Sequence, residues 1–258
     1  MISIIISTNN NEFFRKVSES IHKTIGVPYE IIKIENNHQY SLCKAYNIGE
    51  SRAIYPYLCF VHDDVAFMID KWGPRLISLF ESDPKIGLVG IAGNKFRGSY
   101  PAAIGQGPSI RRKYMRGNVY QLSSGYLDFD SSVDKKEIED VVCIDGVFMF
   151  AKNEVFQYCH FDEALLTQFH GYDLDFSLQT FFQGYRVLVD RGMLIEHFSG
   201  GNYSKENTKA NRKISKKWMK KLPVATPDLN ISRFRLYYSD VINSLYFLYI
   251  AIKRELKF

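Results

Sequence analysis

Three short polar clusters follow directly on hydrophobic runs: Thr8-Asn9-Asn10 after Ile2–Ser7, Glu35-Asn36-Asn37 after Tyr29–Ile34, and His62-Asp63-Asp64 after Tyr57–Val61. Adjacent carboxylates at the end of a buried strand are costly unless something positive compensates them. A hard divalent cation bridging substrate phosphates supplies that compensation, because magnesium and manganese favour carboxylate oxygens. The same pair would also serve as a helix N-cap, accepting from free amides. Taken alone, Asp63 and Asp64 leave these two readings even. A second acidic pair stands in Gly171-Tyr172-Asp173-Leu174-Asp175, which opens a helical stretch. The positive end of that helix favours carboxylates, and an acidic first turn would by itself explain them. Residues two apart on a helix do not share a face, so only one of the pair can meet a given substrate atom, and Asp173 is favoured. His197 also follows a short apolar strand; a lone histidine is more often structural, and this one gains weight in company with Asp63 and Asp64.

The elements that must position these groups alternate. Ile2–Ser7, Tyr29–Ile34, Tyr57–Val61 and Ile86–Ile91 read as strands, and Asn11–Thr24, Leu42–Ala53 and Trp72–Ser82 as helices between them. That alternation predicts a parallel sheet with crossover helices, and such sheets bind ligands beyond the carboxyl ends of their strands. Residues 94–140, rich in Gly, Ser, Pro, Tyr and Arg with a basic knot at Arg111-Arg112-Lys113, are expected to form a long irregular insertion, either a functional loop or a flexible one. Beyond it, Val141–Ala151 predicts one strand, Tyr172–Gln183 a helix stopped by Gly184, and Tyr185–Val189 another strand. A final aromatic helix is expected from about Ser232.

Length and composition narrow the class. The 258 residues, 46% apolar and 24% charged, suit one substantial α/β domain with a small appendage. Cys43, Cys59, Cys143 and Cys159 lack metal or redox spacing and are expected to be buried free thiols in a reducing cytoplasm. No cleavable signal is expected at the N-terminus, and the longest late apolar stretch, Val241–Ile252, is too short and too polar to span a bilayer. The net charge of +5 is local: Lys205–Lys221 holds eight Lys/Arg against Glu206, so the rest of the chain sums to −2. A nucleic-acid binder is disfavoured, because the basic segment carries no reading module.

In this order the motifs resemble those of family 2 glycosyltransferases, from Ile2 to about Gly201. The resemblance lies in Ile4-Ile5-Ile6-Ser7-Thr8-Asn9-Asn10, Leu42–Gly49 and Phe60-Val61-His62-Asp63-Asp64. It continues in Ile144-Asp145-Gly146-Val147-Phe148-Met149-Phe150, Phe161-Asp162-Glu163, Gly171–Leu178, Gly184-Tyr185-Arg186-Val187 and His197. It implies a GT-A-type α/β fold: a Rossmann-like mixed, mostly parallel sheet flanked by helices. Residues 1–204 would form that domain, with 94–140 as acceptor loop, and 205–258 a basic and helical appendage. The implied activity is inverting, metal-dependent transfer of a sugar from a nucleotide-diphosphate sugar to a hydroxyl of a glycan or lipid-linked acceptor, in bacterial-type surface glycan synthesis. Thr8, Glu35, Asn47 and Asp63 would then bind the nucleotide sugar. Asp64 and His197 would hold Mn2+ or Mg2+, Asp173 would be the general base, and Asp145, Gly146 and Asp175 would border the acceptor. The chain departs from the family pattern at Ser7, Asn9, Glu35, His62, Tyr172 and Gln179. His62 and Tyr172 lend weight to an alternative, a non-catalytic sugar-nucleotide or glycan-binding module, against which the retained Asp63, Asp64, Asp173 and His197 argue; a nucleotidyltransferase is less favoured because no Gly-rich phosphate loop is present. The last helix and its basic approach are expected either to dock on an anionic membrane surface or to cover the domain's own core or a second copy of the chain.

Overall fold

The Ile-rich opening forms β1 (Ile2–Thr8), and the Asn10 side chain caps α1 (Asn11–Thr24) by accepting from the amides of Glu12 and Phe13. The computed structural model describes residues 1–102, 113–121, 125–128, 136–199 and 204–255. Next come β2 (Tyr29–Glu35), α2 (Leu42–Arg52), β3 (Tyr57–Val61), β4 (Val65–Phe67), α3 (Trp72–Ser82) and β5 (Ile86–Gly90). The middle of the chain holds β6 (Ala92–Asn94), β7 (Phe96–Arg97), β8 (Met115–Gln121), β9 (Gly125–Asp128), β10 (Ile138–Val141), β11 (Cys143–Ile144) and β12 (Phe148–Lys152). The last third holds α4 (Tyr172–Phe182), β13 (Arg186–Asp190), β14 (Ile195–His197), α5 (Lys205–Trp218), β15 (Val224–Ala225) and α6 (Arg233–Glu255).

Seven strands form the main sheet in the order β10-β13-β5-β12-β3-β1-β2. β1 runs parallel to β2 and β3, and β5 parallel to β13, whereas β12 and β10 run against their neighbours. The sheet is covered on both faces, which is why its central strands read as continuous apolar runs. Side chains alternate between the two layers. Ile2, Ile4, Ile6, Cys59, Val61, Phe148 and Phe150 pack with Val17 and Ile21 of α1 and Trp72, Leu76 and Phe80 of α3. Ile5, Leu58, Phe60, Met149 and Ala151 pack with Tyr46 of α2, Phe161, and Leu174 and Leu178 of α4. All four cysteines are buried free thiols.

A second sheet, β11-β6-β8-β14-β4 with β9 paired to β8, gathers strands from the middle of the chain and the continuations of β3 and β13. Residues 94–140 are therefore not an irregular loop among the described residues. The sequence of β8 hides its strand: Arg116 and Asn118 are buried, with Arg116 Nε donating to Glu139 Oε2 at 2.9 Å, so no apolar alternation marks it. Gly117, at φ +99°, crosses so close to the Ile91 carbonyl that a Cβ would lie 1.9 Å from its oxygen. The single strand expected over Val141–Ala151 is divided by a turn at Asp145–Val147, where the Asp145 carboxylate accepts from the Val147 amide at 3.0 Å. Arg111 and Arg112 of the basic knot lie outside the described residues.

The expected boundary at 204/205 is not a break in packing. α5 buries Ala210 and Ile214 in the same core layer as α4, and Asp175 fastens the two helices. α6 behaves differently. It is tied to the body through Asp240, which accepts from the Ser99 amide at 2.8 Å, while Phe234, Tyr237, Tyr238, Val241, Ile242, Leu245, Tyr246, Leu248 and Tyr249 are exposed. This apolar face does not cover the domain's own core; the side chains of Phe247 and Ile252, expected on the same face, lie outside the described residues. Among the described residues no helix is long and apolar enough to cross a membrane.

Candidate active site

The polar clusters meet because β1, β2 and β3 are parallel neighbours and end at one side of the sheet. There a cavity of about 730 Å³ opens, lined by the turns after these strands, the Asp145–Val147 turn, the start of α4, His197, and Asn207 and Asn211 of α5. Thr8 sits in its wall and donates its hydroxyl to Asp63 Oδ2. Burial raises the Asp63 pKa, with the Thr8 hydrogen bond acting against that rise.

No helix follows Asp63-Asp64; the chain continues into β4, so the pair is not an N-cap. β4 pairs antiparallel with β14 in a register that sets Val65 opposite His197. That pairing brings residues 133 positions apart to within hydrogen-bonding range: His197 Nε2 lies 3.4 Å from Asp64 Oδ2. His62 Nδ1 is 3.8 Å from Asp64 Oδ1. Burial opposes the charge of Asp64, but hydrogen bonds from His197 and Ser199 and the nearby imidazoles outweigh it, and its pKa falls well below the usual carboxylate range. One ligand atom each from His62, Asp64 and His197 lies within 4.8 Å of the others, a donor set that fits a divalent cation.

Gly171, at φ +87°, starts α4 where a Cβ would stand 2.6 Å from Ile214 of α5, and this close approach sets the helix against the cavity. Asp173 lines the cavity, and its Oδ2 accepts from the Gly146 amide at 3.1 Å. Burial, then the neighbouring Asp145 charge, push its pKa up to about 7, against the pull of the backbone amides of Leu174, Asp173 and Gly146. A carboxyl poised there can take a proton near neutral pH.

Thr8, Asp63, Asp64, Asp145, Gly146, Asp173 and His197 therefore line one cavity, and three expected site residues do not. Glu35 shares the outward face of edge strand β2 with Lys33, its partner at 2.9 Å, and Asn36 takes the place in the wall. Asn47 turns from the cavity and donates to the Phe161 carbonyl at 2.9 Å, holding the segment that leads to α4. Asp175 is buried and accepts from Lys217, Trp218 and Gln179, each at 2.8 Å, because two residues along the helix turn it away from Asp173. Sequence reasoning missed His62, whose place beside the acidic pair was a visible signal. It also missed Asn207 and Asn211, whose i, i+4 spacing among lysines carries none.

The model of a glycosyltransferase-like family matches residues 3–220. No curated protein matches the chain. Among solved structures, GalNAc-T7 crystallised with UDP, GalNAc and Mn2+ is similar at a TM-score of 0.60 and 14% identity, covering 85% of this chain and 49% of that one. The chain thus spans about half the length of that structure. S. aureus TarS is similar at a TM-score of 0.47 and 13% identity, covering 77% of this chain and 36% of that one. At such identities the likeness shows the fold alone, and the fold is GT-A-like.

Proposed function

We propose that this chain, which belongs to the glycosyltransferase-like family, moves a sugar from a nucleotide-diphosphate sugar to an acceptor hydroxyl with inversion at the anomeric carbon. The observation that carries the reading is the meeting, in one cavity, of a cation-binding set around Asp64 with a carboxyl, Asp173, whose pKa suits a general base. The UDP and Mn2+ in the similar GalNAc-T7 structure are the ligands this reading places here. Thr8 and Asp63 would face the nucleoside, and Asp64 and His197 would hold Mn2+ or Mg2+. When bound, the cation supplies charge stabilisation to the leaving nucleoside diphosphate. Asp173 removes the proton of the acceptor hydroxyl as that oxygen attacks the anomeric carbon from the face opposite the leaving group. Asp145 and Gly146 border the acceptor. Transfer and hydrolysis assays with UDP-, GDP- and dTDP-sugars and Mn2+ test this. Turnover that Asp64→Ala abolishes, with the fold retained, is expected. Full activity of Asp64→Ala in chelator would refute the metal assignment. Donor binding without turnover by the unaltered chain would instead establish a non-catalytic binding module.

The exposed apolar face of α6, together with the exposed lysines of α5, supports a location at the cytoplasmic face of an anionic membrane, with a lipid-linked acceptor in surface glycan synthesis. Pairing of two copies through α6 is the second reading of the same face.

A further inference from the structure

His62 faces two ways across the cavity. Its Nε2 lies 2.8 Å from the Tyr172 hydroxyl, and its Nδ1 lies on the Asp64 side. The same hydroxyl is 3.0 Å from the Gly146 carbonyl oxygen, which can only accept. A phenol has one proton to give. With that proton on Gly146, the phenolic oxygen must receive its second hydrogen bond from His62, so the neutral ring carries its proton on Nε2. Nδ1 then presents a lone pair toward Asp64 and His197.

The surroundings hold Tyr172 to this task. Its ring packs against Tyr46 with centroids 5.5 Å apart and against Phe161 at 6.4 Å. Gly146 admits the hydroxyl because it has no side chain: a Cβ there would stand 2.2 Å from the Tyr172 oxygen. A ligating histidine typically gives its other N–H to a fixed acceptor, which sets the tautomer and the ring orientation.

We infer that His62 is a third protein ligand of the divalent cation, beside Asp64 and His197, and that Tyr172 is the positioning residue that holds it in the Nε2–H tautomer. The inference rests on the metal-dependent reading above and sharpens it. Two imidazoles and one carboxylate discriminate against Mg2+, which keeps oxygen ligands, so Mn2+ binds in preference. The same hydroxyl also joins the cation side of the cavity to the Gly146 turn, whose amide bonds the base Asp173.

The test is Mn2+ binding by the full chain without any sugar nucleotide, followed by pulsed electron paramagnetic resonance that counts coordinated imidazole nitrogens. The unaltered protein should show two, and His62→Ala one. Tyr172→Phe, which keeps the packed ring, should weaken Mn2+ binding about 10–100-fold while the protein stays folded. One coordinated nitrogen in the unaltered protein, or unchanged Mn2+ affinity and nitrogen count in His62→Ala, overturns the third ligand. Unchanged affinity in Tyr172→Phe overturns the positioning role. Loss of Mn2+ in Asp64→Ala and His197→Ala but not in His62→Ala leaves the metal-dependent reading standing without this one. No Mn2+ binding at all by the unaltered chain removes both.

Discussion

The Asp145 carboxylate, across the Gly146 turn, raises the cost of charging Asp173. Burial is the larger cause of the rise at Asp173 and the Asp145 charge the next. As the proposed general base, Asp173 would act as the carboxylate, so transfer should rise with pH as it loses its proton near about 7. The kcat/KM profile, which reports the free enzyme, should show an acid limb in that region. Asp145→Asn removes a like charge, lowers the Asp173 pKa and moves the limb to lower pH. Asp173→Asn should keep donor binding and lose turnover about 10²–10⁴-fold. A limb that stays in place in Asp145→Asn, or an Asp173→Asn variant with near-normal turnover, would remove Asp173 from the role. The sequence placed Asp173 and Asp175 at a helix start. That only one of them reaches the cavity was legible from helical geometry, and the raised pKa was not, since it depends on burial and on a turn 27 residues away.

At the scale of elements, Asp175 shows how a residue beside the chemistry can serve the architecture. It is almost fully buried between α4 and α5, where Lys217 and Trp218 donate to it and Lys217 also reaches Asp162 at 2.9 Å. Without this carboxylate, the C-terminal end of α5 loses the hydrogen bonds of Lys217 and Trp218 to α4. Asp175→Asn should therefore lower stability by about 1–3 kcal/mol, the cost of breaking a buried hydrogen-bonded group, with the transfer rate of the folded protein largely kept. Denaturant titration alongside activity measures both. Unaltered stability with lost turnover would return Asp175 to the acceptor side. The basic segment is thus partly structural: Lys213 donates to the Leu165 carbonyl, and Lys217 is consumed by carboxylates. In the sequence this segment stands out only as basic; the face its helix buries is Ala210, Asn211, Ile214 and Ser215, half of it polar.

For the molecule as a whole, charge and apolar surface are concentrated in the last quarter. Asp240 is the one acid between Leu236 and Ile252, and it is buried against Ser99, so the exposed face of α6 offers tyrosines and aliphatic side chains without a negative charge. Contiguous apolar surface of this kind marks an interaction site. Basic residues near an anionic bilayer contribute about 1 kcal/mol each. Liposome flotation of the full chain should show binding to anionic but not neutral vesicles, weakened by salt and by Lys216/Lys220/Lys221→Glu, three lysines that are exposed on or next to α5. Flotation with neither vesicle type, together with a dimer in sedimentation, would assign α6 to pairing of two copies.

The alternating strands and helices of the first ninety residues and the ordered polar clusters were determined by the sequence itself, because hydrophobic period acts over neighbouring residues. Ile2–Ile6 could only be a buried strand, and Asp63-Asp64 could only stand at the end of one. The second sheet and the partners at the cavity were decided by tertiary structure. β8 is a strand because Glu139 and the Ile91 carbonyl receive it, and Asp64 meets His197 because β4 and β14 pair in one register. Glu35, Asn47 and Asp175 sit beside site residues in the chain yet face solvent, a loop carbonyl and a helix contact. A side chain's direction follows from what packs around it, and those neighbours are distant in sequence.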